Sequence, residues 1–154
     1  MFKNELDILK KELSKHDKWF IILIGTPLSG KSTFTKLFSE LGFTYDTISK
    51  DNLIESKYPN MSYNDAFESL DWKEHREIYK EYRTQFRNNI ENGDNFIIDM
   101  TNINSVKRAG KINDAKEFFS VAIKFPIISE DEFKIRNYKR TESGKTISIE
   151  TFNF

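Results

Sequence analysis

Cysteine is absent from all 154 residues. That excludes a disulfide framework and a thiolate metal site, and it fits a reducing compartment. Net charge is absent too, because 24 Lys and Arg balance 24 Asp and Glu. No overall positive field therefore draws the chain to nucleic acid. No apolar run approaches the ~20 residues needed to span a bilayer, and the charged N-terminus does not read as a signal peptide. Repeats, low-complexity tracts and a recognisable interdomain linker are also missing, so the length reads as one folded unit by the prior of ~100–200 residues per domain. A cytoplasmic protein with no membrane partner is expected. Its core draws heavily on 14 phenylalanines.

What is present is a phosphate loop. Gly25, Thr26, Pro27, Leu28, Ser29, Gly30, Lys31, Ser32 and Thr33 complete the pattern G-x-x-x-x-G-K-[ST]. The apolar run Trp19–Ile24 stands directly before it, and Phe34, Leu37, Phe38 and Leu41 follow at helical spacing. Strand, glycine-rich loop and helix start are the context in which unpaired N–H groups and the helix dipole meet a polyphosphate. Gly25 and Gly30 permit close approach of backbone to phosphate, Lys31 would reach the β- and γ-phosphates, and the Ser32 hydroxyl would ligate Mg²⁺. The chain is expected to bind a nucleoside triphosphate.

The remaining pattern alternates strands with helices. Leu6, Leu9 and Leu13 place an amphipathic helix over Phe2–Lys18. Division of the chain into this N-terminal helix (1–18) and a phosphate-loop domain (19–154) follows. Further strands are expected over Phe43–Ile48, Phe96–Asp99 and Val121–Phe125. Helices are expected over Asn52–Lys57, Asp71–Glu91, Asn104–Phe119 and Asp131–Tyr138, with a loop at Ser49–Asn52 and a last short helix near Ser148. The implied fold class is α/β, a parallel sheet covered by helices on both faces.

Absences also sort the kinds of nucleotide-binding protein. Motor-type ATPases usually place a glutamate after the second-motif aspartate, whereas Asp99 is followed by Met100. The guanine-reading Asn-Lys-x-Asp motif does not occur. Asp99-Met-Thr-Asn102 ends a strand, where parallel sheets place ligands, so Asp99 is a candidate to hold Mg²⁺ or orient Ser32. Asp51 lies past the second strand on the same sheet edge. It fits a base for an acceptor hydroxyl and equally an N-cap for the helix near Asn52. Arg136 and Arg140 are four apart, on one face of a helix, in a basic segment from Lys134 to Lys145 with Glu142 as its one acid. Such a lid could neutralise a transferring phosphoryl group, or it could be a solvated face. A second basic stretch, Lys107, Arg108 and Lys111, contains no acid. His16 and His75 read as surface residues, and Tyr58, Tyr63, Phe67 and Trp72 as core.

Ile24–Thr33, Ile48-Ser-Lys-Asp-Asn52, Ile97-Ile-Asp-Met-Thr-Asn102 and Arg136-Asn-Tyr-Lys-Arg140 occur in order, and together they resemble the phosphate-loop kinase module of 5′-polynucleotide kinases of the phage and bacterial end-repair type. The resemblance spans about residues 19–152. It implies an adenylate-kinase-like fold with a basic lid, Lys31 and Ser32 on ATP and Mg²⁺, and Asp99 as the acidic residue of D-x-T-N. It further implies Asp51 as general base, and Arg140 with Arg136 as lid arginines on the ATP phosphates. Two departures stand out. Ile54 occupies the position of a substrate-phosphate arginine, and Lys145–Ile149 lacks a proline common in relatives. The reading is an ATP- and Mg²⁺-dependent kinase acting on a hydroxyl, foremost the 5′-OH of a DNA or RNA end. A small hydroxylated molecule, nucleoside or modified base is the alternative acceptor, and a non-catalytic nucleotide-binding module is the alternative class. The Lys/Asn/Ile-rich composition fits an AT-rich, phage-type genome and hence a host cytoplasm.

Overall fold

The computed structural model describes residues 3–141 and 146–147. In chain order its elements are α1 (Lys3–Leu13), β1 (Trp19–Ile24), α2 (Lys31–Ser39), β2 (Asp46–Ile48), α3 (Lys50–Lys57), α4 (Tyr63–Ser69), α5 (Trp72–Asn92), β3 (Phe96–Ile98), α6 (Ser105–Asp114), β4 (Phe119–Lys124) and α7 (Glu130–Lys139). The last helix expected near Ser148, together with Glu142 and Lys145, lies outside the described residues.

The four strands form a parallel sheet in the order β2-β3-β1-β4. A central parallel strand is covered on both faces, so it reads as an unbroken apolar run, and β1 is that run. Alternate side chains serve opposite layers. Trp19, Ile21 and Leu23 join Ile97 and the α2 residues Phe34 and Phe38 in one cluster. Phe20 and Ile22 join Ile48, Phe96, Ile98 and Tyr82 of α5 in the other. At about 1.5–3 kcal/mol for each fully buried large side chain, β1 is the main apolar contributor to the sheet. Helix α1 lays Leu6 and Leu13 into the first cluster.

The structure departs from the pattern at four places. β2 is confined to Asp46–Ile48, because Phe43 and Tyr45 turn onto Trp19 and Phe38, with ring centres 5.4 and 5.2 Å apart, instead of pairing with a strand. α6 stops at Asp114, since Ala115 and Phe118 are buried and close a turn, Phe118 N–H donating to Ala115 O at 2.9 Å. β4 then begins at Phe119, opposite Trp19. The expected loop Ser49–Asn52 is helical from Lys50, its start capped by Ser49 Oγ accepting from Asn52 N–H. Helix α4 appears where no element was expected, capped by Ser62. Among the described residues no helix is long and apolar enough to cross a membrane.

Candidate active site

The connection from β1 leads across β3 to β2, while that from β3 leads past β1 to β4. The two chains thus leave the β1/β3 pair in opposite directions, and a crevice opens at the carboxyl ends of those strands. Three strand ends deliver residues there: Gly25 after β1, Ser49 after β2 and Asp99 after β3. The resulting cleft has a volume of about 1330 Å³, and its wall includes the phosphate loop, Asp51, Asp99, Arg136 and Arg140.

The loop is built for close approach. A Cβ on Gly25 would sit 2.5 Å from Ser29 Oγ and 3.0 Å from Phe125 Cβ, so no other residue fits there. Gly30 has φ 108°, a left-handed value that side chains resist, and it opens α2 without a side-chain cap. Helices α3 to α7 are each capped by Ser49, Ser62, Asp71, Asn104 or Ser129. The first N–H groups of α2 are therefore left to an external acceptor. Two loop hydroxyls, Thr26 Oγ1 and Ser29 Oγ, are buried without a hydrogen-bond partner. Buried orphan donors next to an uncapped helix start fit a polyphosphate, which supplies acceptor oxygens to both.

Lys31 bends back over the loop, Nζ donating to Gly25 O at 2.9 Å and Thr26 O at 2.8 Å. Burial lowers its pKa; Asp99 and Asp51 oppose that shift electrostatically, and Arg140 adds to it. Lys31, Asp51, Asp99 and Arg140 all line the cleft, and the other three act electrostatically on Lys31. Among the described residues no three His, Cys, Asp or Glu side chains gather. Ser32 and Asp99, both on the cleft wall, are nevertheless hard oxygen donors suited to Mg²⁺, which keeps waters and phosphate oxygens as its other ligands.

The D-x-T-N segment fastens the loop to the sheet. Thr101 O accepts from Gly25 N–H at 3.1 Å. Asn102, buried and at φ 48°, donates through Nδ2 to Leu23 O at 2.8 Å and to Ile98 O at 3.3 Å. Its Oδ1 accepts from Lys111 Nζ at 2.7 Å. One side chain therefore links the ends of β1 and β3.

Asp51 lies in the first turn of α3, and the cap there is Ser49, which removes the capping role left open for Asp51. Its Oδ1 accepts from the Tyr63 hydroxyl at 2.8 Å. Burial first, then the Asp51 charge and hydrogen bond, raises the pKa of that phenol far above its usual value, so it stays a donor. Tyr58 and Tyr63 pack against the Ile54 core cluster as expected, but Tyr63 also lines the cleft with Phe67, and Trp72 is 68% exposed. On the opposite wall Arg136 donates to Leu28 O at 2.8 Å and pairs with Glu132 at 2.5 Å. It ties α7 to the outer rim of the loop, where Leu28 has φ 64°. Arg140 ends α7. Two asparagines hold Thr146 and Ile147 at the cleft wall. Asn64 of α4 exchanges hydrogen bonds with Thr146 (2.6 and 3.2 Å), and Asn137 of α7 does so with Ile147 (2.9 and 3.0 Å).

Tyr63, Asn64, Asn102 and Asn137 were not among the expected site residues. Asn102 carried a signal, being the last letter of D-x-T-N. For the others the partner lies on a different element, 10 to 82 residues away, and no local pattern marks it.

The sheet order and the loop define a P-loop NTPase with a kinase-like fold. The sequence matches the AAA domain family over residues 20–152, and the chain belongs to it. A comparison with functionally curated proteins returns no match. Among solved structures, a chain of the Pnkp1/Rnl/Hen1 RNA repair complex aligns with TM-score 0.71 and 23% identity, covering 90% of this chain and 42% of its own. A second structure of the Pnkp1/Rnl/Hen1 complex aligns with TM-score 0.59 and 22% identity, covering 77% and 39%. A kinase-like protein from Chloroflexus aurantiacus aligns with TM-score 0.61 and 15% identity, covering 88% and 74%. The chain thus spans about two-fifths of the length of the first of these.

Proposed function

We propose that this protein is an ATP- and Mg²⁺-dependent kinase that transfers the γ-phosphoryl group to a hydroxyl, foremost the 5′-OH of a DNA or RNA end. The observation that carries the reading is Asp51. Its carboxylate lines the cleft with Lys31 and Asp99, accepts from Tyr63, and is relieved of helix capping by Ser49. A carboxylate so placed suits a general base. The acceptor oxygen attacks the γ-phosphorus in line and its proton passes to Asp51. The bond from phosphorus to the bridging oxygen breaks, and ADP leaves. The uncapped start of α2 and the Thr26 and Ser29 hydroxyls bind the phosphates, and Lys31 and Arg140 neutralise charge as the transferring group flattens. Arg136 positions the loop through Leu28 O. Ser32 and Asp99 would hold Mg²⁺, which supplies charge neutralisation on the β- and γ-phosphates. RNA repair, named for the structurally similar complexes, supports a nucleic-acid end as acceptor.

One observation favours a small hydroxylated acceptor instead: Ile54 is 4% exposed and packed with Ala66 and Ile78, so it cannot touch a substrate phosphate. The test is transfer from γ-labelled ATP with Mg²⁺ to 5′-OH single-stranded DNA and RNA, with Lys31→Ala as the blank. Label on the 5′ end, absent in the variant, supports the polynucleotide reading. Label only on nucleosides or other small alcohols supports the second. ATP binding without transfer to any acceptor would overturn both.

A further inference from the structure

Beside the cleft, and separate from the phosphate loop, Lys50 and Lys111 converge on one face of α5, with Lys107 of α6 near them. Lys50, the first residue of α3 and part of the cleft wall, holds Nζ 4.3 Å from the Tyr79 ring centre and 5.8 Å from that of Tyr82. Lys111 of α6 approaches the same Tyr82 ring at 5.8 Å. Lys107, one turn earlier on α6, acts electrostatically on both, and with burial it lowers their pKa values. Among the described residues none of the three is ion-paired to a carboxylate. Tyr82 itself is 5% exposed, and its hydroxyl is buried without a partner. Lys50 and Lys111 are half-buried like charges with no carboxylate partner among the described residues, which is unfavourable in the free protein, and an anion relieves that repulsion.

The surface continues along α5. Arg76 and Arg83 lie three residues before and four after Tyr79, hence on its face of the helix. Neither makes an ion pair among the described residues, and Tyr79 is 46% exposed. The face therefore combines extended positive charge with aromatic rings, the composition that follows a phosphodiester backbone and stacks its bases. Its near end is Lys50, the neighbour of Asp51, so a strand whose terminal hydroxyl reaches Asp51 leaves the cleft past the lysines.

We propose that the surface formed by Lys50, Lys107 and Lys111 over Tyr79 and Tyr82 binds the backbone phosphates of a nucleic-acid strand, replacing the contact that Ile54 cannot make. The proposal rests on the kinase reading only for the direction of the strand. The charge-complementary occupant is a polyphosphodiester, and a single phosphate would leave most of the face uncovered.

The test is fluorescence anisotropy of labelled 5′-OH single-stranded DNA and RNA oligonucleotides against the whole chain across a salt series. Wild type is compared with Lys107→Ala/Lys111→Met, and with Lys107→Arg as the charge-retaining control. ATP affinity and thermal midpoint are followed in parallel. The double variant should bind about tenfold more weakly, with a log–log salt slope smaller by about 1.4, since each single-strand phosphate contact contributes about 0.7. ATP affinity should be unchanged in Lys107→Glu, which spares the Lys111 bond to Asn102 Oδ1, and Lys107→Arg should match wild type. If the double variant does not fold, Lys107→Glu on the exposed side of α6 gives the same reading with a single change. Unchanged oligonucleotide affinity and slope in a folded variant would overturn the proposal. So would competition by polyglutamate as strong as that by the oligonucleotide, because the occupant would then be an acidic polypeptide. Loss of oligonucleotide binding without phosphoryl transfer to any acceptor would retain this surface and remove the kinase reading. Transfer that ignores acceptor length and the double variant would do the reverse.

Discussion

A carboxylate in the first turn of a helix ordinarily answers the helix's own N–H groups and dipole. At Asp51 the Ser49 hydroxyl takes the capping bond, and the carboxylate faces the cleft with Tyr63 as donor. Asp51→Asn keeps the size and removes the basic oxygen. The expected result is a loss of transfer of about 10²–10⁴-fold, the usual range for a general base, with ATP affinity within about twofold of wild type. Near-normal single-turnover rates in that variant would exclude Asp51 as the base. Tyr63→Phe removes only the hydroxyl that holds the carboxylate. Tyr63 is a positioning residue, so kcat should fall about tenfold while KM for ATP stays unchanged. A rise in KM for ATP with kcat intact would assign Tyr63 to nucleotide binding instead. Asp51 is visible in the sequence because it follows a strand at a fixed offset. Tyr63 is not, because its partner is 12 residues away across a turn and a different helix.

At the scale of elements, β1 and the loop are legible because six apolar residues in series and a glycine pattern each have one physical explanation. The ends of α5 are nearly so, being set by Asp71 and Gly93, the last at φ 74°, whereas the start of α3 is not, because its Ser49 cap lies in what reads as a loop. Helix α4 is not legible, since seven residues are too few for a periodic signal. Nor is the true length of β2, whose neighbours Phe43 and Tyr45 are apolar for packing and not for pairing. The joint between β1 and β3 depends on Asn102, so two substitutions separate its two demands. Asn102→Ala loses the bonds to Leu23 O and Ile98 O and places a Cβ-bearing residue without local hydrogen bonding at φ 48°. It should destabilise by about 2–4 kcal/mol, combining unsatisfied buried carbonyls with left-handed strain. Asn102→Gly loses the same bonds and relieves the strain, so it should be the less destabilised of the two in denaturant midpoint. Equal loss in both would mean that the left-handed backbone costs nothing there.

Across the whole molecule a net charge of zero conceals segregation. Carboxylates pair with lysines at the end of α1, around Glu74 and on α7, while the lysines over Tyr79 and Tyr82 pair with no carboxylate among the described residues. Composition could not reveal this, because Lys50 and Lys111 meet only when α3 and α6 both pack on α5. The consequence is a pH dependence with a defined sign. Burial first, then Lys50 and Lys107, lowers the Lys111 pKa from 10.5 to about 8. Below about pH 8 the ammonium is protonated in folded and unfolded chains alike, and its penalty in the folded state is fully present. Between about 8 and 10.5 the unfolded chain retains a proton that the folded chain has released, so stability rises with pH. Above 10.5 the gain is complete. Lys31 and Lys50, also lowered by burial, act in the same direction. The Tyr82 hydroxyl, pushed up to about 12 by burial, remains neutral throughout this window. Comparison with Lys111→Met isolates the Lys111 contribution. The variant should unfold at a higher temperature than wild type at pH 7, and the difference should shrink as pH rises from 8 to 10. A difference that does not change with pH would show that Lys111 is solvated well enough to keep its ordinary pKa, and that its bond to Asn102 Oδ1 sets the effect of its removal.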